Sequence, residues 1–144
     1  MRVSLSLRGD YAVRVMLALA EHAREHGASA PLLSASAIAA RKRIPPRFVA
    51  HVLGDLVRAG LVVGSPGRRG GYRMAADATE IDLLRIVDAA EPSDTPARCV
   101  LRGIPCDPDG RCAAHDAFSA ATTAVRNELS RSSLDSILAR QIDA

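Results

Sequence analysis

Residues 45–74 read P-P-R-F-V-A-H-V-L-G-D-L-V-R-A-G-L-V-V-G-S-P-G-R-R-G-G-Y-R-M. Phe48, Val49, Val52, Leu53, Leu56 and Val57 recur at helical spacing, which predicts a helix with one apolar, buried face. Pro45 and Pro46 belong at its entry, where a missing N–H costs little. Gly60 is a C-terminal stop. Leu61-Val62-Val63 then reads as a strand. Ser65-Pro66-Gly67 and Gly70-Gly71 supply turn chemistry around Arg68 and Arg69, and Tyr72-Arg73-Met74 returns as a second strand. A helix followed by a short hairpin with arginines at its tip predicts a winged helix-turn-helix. Its helix would enter a DNA major groove and its wing would reach backbone or minor groove.

Charge agrees with that reading. Residues 41–73 hold eight Arg/Lys against a single acid, Asp55, a local net of +7 in a chain whose formal charge is only +3. A solvated basic face would account for such a run, but its coincidence with helix and wing tip points to phosphate contacts. The DNA-binding candidates are Arg41, Lys42 and Arg43 in the turn before the helix, Arg47 and His51 on its outward side, and Arg68 and Arg69 on the wing. Arg47 can pair with guanine or hold a phosphate, and His51 can meet a base edge.

Working towards the N-terminus, Ala35–Arg41 suits a short first helix capped by Ser34 or Ser36, with Ile44 as a packing plug. Gly9-Asp10 opens a longer helix through about Glu25 with Tyr11, Val15, Ala18 and Leu19 in one stripe. Residues 1–8 read as a short edge strand or lead-in. Working towards the C-terminus, Asp77 to Ala90 reads as a helix with Ile81, Leu84, Ile86 and Val87 mainly inward.

Residues 91–111 differ in kind, because Pro92, Pro96, Pro105, Pro108, Gly103 and Gly110 forbid regular structure. From Cys112 to about Ser130 a helix returns with an apolar stripe of Phe118, Ala121, Thr122, Val125 and Leu129. Ser133 can cap a short last helix. A helix with an apolar face and no obvious local partner serves commonly in dimers, although packing on the N-terminal helix would also cover it. Two-fold symmetric readers of palindromic DNA need such a dimer to span half-sites roughly 34 Å apart. The expected organisation is therefore a DNA-binding unit at 1–90, a cysteine-rich loop at 91–111, and a dimerisation helix with a short terminal helix at 112–144. The fold class is mainly α with a small β-wing.

Aromatic residues make up only 3% of the 144-residue chain, so its core must be built from Ala, Leu, Val and Ile, which suits helices. No apolar run approaches the ~20 residues of a membrane span. Arg2, Arg8, Asp10 and Arg14 interrupt any signal-peptide pattern. A cytoplasmic protein with no membrane association is expected.

All three cysteines lie in C-V-L-R-G-I-P-C-D-P-D-G-R-C-A-A-H, residues 99–115. An odd count in a chain with no export signal argues against a disulfide framework. Cys99, Cys106 and Cys112 have six and then five residues between them, wider than the tight pairs of zinc sites. Flexible Gly/Pro spacing lets a loop wrap an iron–sulfur cluster. Zinc and a metal-free thiol sensor remain open on spacing alone. Three thiolates leave a fourth position, for which His115, one turn beyond Cys112, and Asp10 are the candidates. A Cys/His hydrolase lacks a pocket and an oxyanion hole, so no catalytic residue is assigned.

Three further motifs, G-D-Y-A-V-R at 9–14, G-R-R-G-G-Y at 67–72 and S-L-D-S-I-L at 133–138, join the cysteines in a resemblance covering nearly the whole chain. The chain resembles the bacterial winged-helix iron–sulfur regulators that include IscR and NsrR. Two departures, Arg69 where the family usually has glycine and the Pro45-Pro46 helix entry, bear on the DNA sequence preferred. The resemblance implies a homodimeric repressor or activator, most simply a repressor, sensing nitric oxide, redox or iron–sulfur status. It matches Cys99, Cys106 and Cys112 to cluster cysteines. His115 looks like the histidine ligand of a 2Fe–2S site, and Asp10 like the aspartate given to a 4Fe–4S cluster by the partner subunit. The local spacing of His115 favours 2Fe–2S over 4Fe–4S. The alternative is a thiol-based redox-sensing regulator without metal.

Overall fold

The computed structural model describes residues 1–91, 98–107 and 109–142. Pro92, Pro96 and Pro108 of the cysteine loop lie outside them. Six α-helices and one two-stranded antiparallel sheet are present among the described residues: α1 (Leu7–His26), α2 (Ala35–Lys42), α3 (Pro46–Arg58), β1 (Val62–Ser65), β2 (Gly71–Met74), α4 (Leu83–Ala90), α5 (His115–Arg131) and α6 (Leu134–Ile142). The mainly helical fold with a β-wing is the one the sequence indicates. No helix among the described residues is long and apolar enough to cross a membrane.

Helix α1 is the centre of the molecule. Its stripe Ala12, Val15, Met16, Ala18 and Leu19 is buried, and α2, α3, α4 and α6 all pack on it. It begins at Leu7 rather than Gly9, because the Ser6 hydroxyl accepts from the Gly9 N–H at 3.1 Å. A side-chain oxygen at the N-cap satisfies an otherwise orphaned donor. Of the edge strand or lead-in expected over residues 1–8, the lead-in is what forms: six residues without regular structure, followed by the first helical turn.

The helix-turn-helix follows the same logic. Ser34 caps α2 through the Ala37 N–H, and Arg43 ends it in the left-handed conformation at φ 52°. Ile44 is buried as the plug between α2 and α3. Pro46 occupies the first turn of α3. Val49, Val52, Leu53 and Leu56 of α3 face the core, whereas Val57, expected on the same face, is exposed.

Strands β1 and β2 pair from Val62↔Met74 to Ser65↔Gly71, so the first strand starts one residue later than expected. A bridge from Leu33 to Tyr72, with N–H···O distances of 2.8 and 3.0 Å, stitches the wing to the segment before α2. Glycine is required here. Gly71 has φ +151°, and a Cβ on it would stand 2.7 Å from the Leu33 carbonyl oxygen.

One expectation in the C-terminal half shifts. The helix expected over 77–90 forms only from Leu83, capped by the Asp82 carboxylate. Residues 81–83 instead bond to the chain at the start of α6: Leu83 N–H donates to Ser132 O at 3.0 Å and Leu134 N–H to Ile81 O at 2.7 Å. Leu134 and Leu138 of α6 are buried in the main core. Helix α5, by contrast, has no buried residue. It leans on α4, where Arg126 forks onto Asp88 at 2.9 and 3.0 Å.

Candidate nucleic-acid interface and metal centre

Burying one face of α3 turns Arg47, Ala50 and His51 outwards, and all three are exposed. The Arg47 guanidinium lies over the Phe48 ring at 4.9 Å, and Phe48 packs against Tyr11 of α1 in a tilted pair with centroids 5.5 Å apart. Asp55, the single acid of the basic segment, is buried on the other side of α3. Arg8 of α1 grips it with two 2.7 Å hydrogen bonds, and Arg58 pairs with it as well. The acid thus orients α3 against α1 without presenting negative charge on the outward face.

The remaining basic candidates divide. Arg43 is exposed at the turn, and Arg68 and Arg69 are exposed at the wing tip. Arg41 and Lys42 bond to α1, Arg41 to Glu25 at 2.9 Å and Lys42 to Glu21 at 2.5 Å. Their charge is already partnered within the protein, a contact that sequence spacing does not reveal.

Within the cysteine loop, residues 98–105 form a tight hairpin. Arg98 pairs with Pro105, Cys99 N–H donates to Ile104 O at 2.8 Å and Gly103 N–H to Cys99 O at 2.9 Å. Arg102 ties the hairpin to Gly110 O at 3.2 Å. All three cysteines are free, Cys99 buried and the others half-buried. They line one cavity of about 60 Å³ together with Arg102 and Arg111. The Arg102 backbone N–H, and after it the Cys112 thiol, lower the Cys99 pKa against the opposing effect of burial. Donors aimed at sulfur favour the thiolate, which is the form that binds metal.

His115 reaches this site by a different route from the one expected. Cys112 precedes α5 and is not part of it; a turn closed by His115 N–H to Cys112 O at 3.0 Å joins the two. His115 opens α5 with its Nδ1 3.6 Å from Cys106 Sγ. A second cavity, about 250 Å³, is lined by Cys106, Cys112, His115 and Phe118 among others. Asp10 sits in the first turns of α1, paired with Arg14 at 2.5 Å, and is not among the described residues lining either cavity.

Three further residues, His22, Glu25 and His26 near the end of α1, bring ligand atoms within 4.8 Å of one another. They are absent from the sequence-derived set, although the spacing H-A-R-E-H at 22–26 carries the signal.

Comparison with known proteins gives a consistent picture. The family model described as Rrf2, iron-dependent transcriptional regulator, matches residues 5–140. A Neisseria meningitidis serogroup A protein, named as a helix-turn-helix transcriptional regulator, is 33% identical over 93% of this chain and 86% of its own length. The regulator IscR of Vibrio parahaemolyticus is 32% identical over 78% of this chain, which spans 64% of that relative. Among solved structures, T. potens IscR superposes with a TM-score of 0.72 over 96% of this chain and 88% of its own, at 22% identity. CymR, the global cysteine regulator of B. subtilis, gives 0.74 over 96% and 98%, also at 22% identity.

Proposed function

The chain belongs to the Rrf2 family of transcriptional regulators, and on that premise we propose that it binds a palindromic DNA operator as a homodimer under control of an iron–sulfur cluster held by its cysteine loop. Arg47 and His51 of α3 would face base edges. Arg43, Arg68 and Arg69 would hold phosphate or a narrow minor groove. Arg41 and Lys42 would join them only by leaving Glu25 and Glu21.

The donor set fits a cluster. Cys99, Cys106 and Cys112 share one cavity, whose charged lining residues are Arg102 and Arg111 against the single acid Asp107, a net positive surround suited to an anionic iron–sulfur core. These thiolates would hold the iron, with His115 or Asp10 in the fourth position. Such a cluster supplies iron that nitric oxide, oxidants or iron scarcity attack. The single observation carrying this reading is the 3.6 Å approach of His115 Nδ1 to Cys106 Sγ at the start of α5. It favours His115, hence 2Fe–2S, and ties the sensing loop to the helix that would form the dimer. Helix α5 has no fully buried residue within the protomer and exposes Phe118, as a helix awaiting a partner copy does. Ordering of the loop by its ligand would bias the relative placement of the two DNA-binding units, a shift between two states of differing affinity. Repression is the simplest output.

Anaerobic reconstitution with iron and sulfide tests the proposal. A coloured dimer is expected that binds its operator with altered affinity after nitric oxide, with both properties lost in Cys106→Ala. Colourless protein of unchanged DNA affinity would overturn it. One observation favours a second reading, a metal-free thiol switch: Cys99 and Cys112 are both free and line the same cavity. In that case peroxide would give a Cys99–Cys112 disulfide in iron-free protein, and that product would change DNA affinity.

A further inference from the structure

We propose that His22, Glu25 and His26 form a second metal site on α1, separate from the cysteine loop, that takes a divalent transition cation such as zinc. The three residues occupy positions i, i+3 and i+4 of one helix and so share a face. Two histidines four apart on a helix are a recurrent metal-binding arrangement, here in the order H-x-x-E-H.

Ring tautomers follow from their partners. His22 Nε2 lies 2.7 Å from the Pro31 carbonyl oxygen, and His26 Nδ1 lies 3.0 Å from the His22 carbonyl oxygen. A carbonyl only accepts, so each of these nitrogens carries the proton and donates it. The opposite nitrogens, His22 Nδ1 and His26 Nε2, are left with lone pairs. Anchoring of the far ring N–H by a backbone carbonyl is the outer-shell pattern that fixes metal-binding imidazoles.

The second observation concerns His22 itself. Its residue is only 8% exposed, and its Nδ1 is buried with no hydrogen-bond partner. Buried polar atoms without partners are rare and costly. A cation would satisfy this one. The His26 ring lies against it, centroids 4.3 Å apart, and the half-exposed Glu25 and His26 leave the face open to solvent. Two imidazoles and one carboxylate suit zinc, cobalt or nickel better than magnesium or calcium, with water completing the shell.

Arg41 gives the site its link to the helix-turn-helix. Its guanidinium is bonded to Glu25, so cation and arginine compete for one carboxylate. Occupancy would free Arg41, at the end of α2, from α1.

The test is a titration of the full chain with cobalt(II) chloride, wild type and with the three cysteines changed to serine. Thiolate-bound cobalt shows intense sulfur-to-metal charge transfer, whereas a nitrogen/oxygen site shows only weak visible bands, so the two are separable even in wild type. One equivalent of the weak-band type is expected in both proteins. His26→Gln, at an exposed position, should weaken it more than tenfold, and Arg41→Ala should tighten it about tenfold by removing a competing positive charge. Absence of that band, or affinity indifferent to His26→Gln, overturns the proposal. Affinity unmoved by Arg41→Ala removes the link to α2. Neither result bears on the cysteine loop.

Discussion

The Arg8 guanidinium lies across the Asp55 carboxylate in a two-pronged grip, Nε to Oδ2 and Nη2 to Oδ1, each at 2.7 Å. One residue lies in the first turn of the central helix and the other is buried on α3, 47 positions away. The pair ties α3 to α1. Arg8→Ala leaves Asp55 buried with Arg58 alone, and a loss of about 1.5 kcal/mol is expected, moderated by solvent around the half-exposed arginine. Arg8→Lys should recover only part of it, since an ammonium cannot reproduce the fork. Denaturant midpoints decide; an unmoved midpoint in Arg8→Ala would show that the grip is incidental.

The wing depends on Gly71. With φ +151° and a Cβ position 2.7 Å from Leu33 O, alanine there should strain the hairpin by about 1–3 kcal/mol. The damage should stay local, read as faster amide exchange at Leu33 and Tyr72 with little change in the melting of the helical core. Uniform destabilisation would argue against a locally stitched wing.

Arg68 and Arg41 should behave differently on DNA. Arg68→Ala, at an exposed wing-tip position, should weaken binding to all sequences and lower the slope of log affinity against log salt by about one. Arg41→Ala removes a charge that Glu25 already holds, so its effect on the slope should be smaller. Equal slopes for the two variants would mean that the Arg41–Glu25 pair opens on DNA.

The two C-terminal helices play different parts. Leu134 is fully buried, and Leu134→Ala should cost about 3 kcal/mol through the cavity it leaves. Phe118→Ala, at an exposed position on α5, should leave the protomer fold intact and shift the monomer–dimer equilibrium in sedimentation. A Phe118 variant that dimerises as well as wild type would place the interface elsewhere.

Substitution of the fourth-ligand candidates assigns the cluster. In reconstituted protein, His115→Ala should alter the electron paramagnetic resonance of the reduced centre, while Asp10→Ala should leave it unchanged. The reverse pattern would hand the position to Asp10, now paired with Arg14.

Much of this was legible in residues 45–74. An apolar stripe, a proline entry, a glycine stop and a turn-rich arginine tip are local signals, carried by residues within one or two turns of each other. They determined α3, the wing and the outward placement of Arg47 and His51. The gathering of three cysteines in one loop was likewise evident, because chain proximity alone guarantees it. Tertiary structure decided what distant segments do to one another. Residues 77–82 have helical spacing, yet 81–83 bond to 132–134, and backbone groups committed to a partner some fifty residues away cannot also close helical turns. Likewise Arg41 and Lys42 read as free charges until α1 brings Glu25 and Glu21 beside them. His115 meets Cys106 rather than sharing a helix with Cys112. Periodicity reports which face of a segment is apolar; which segment covers it, and which charges it meets there, depends on packing that no local pattern contains.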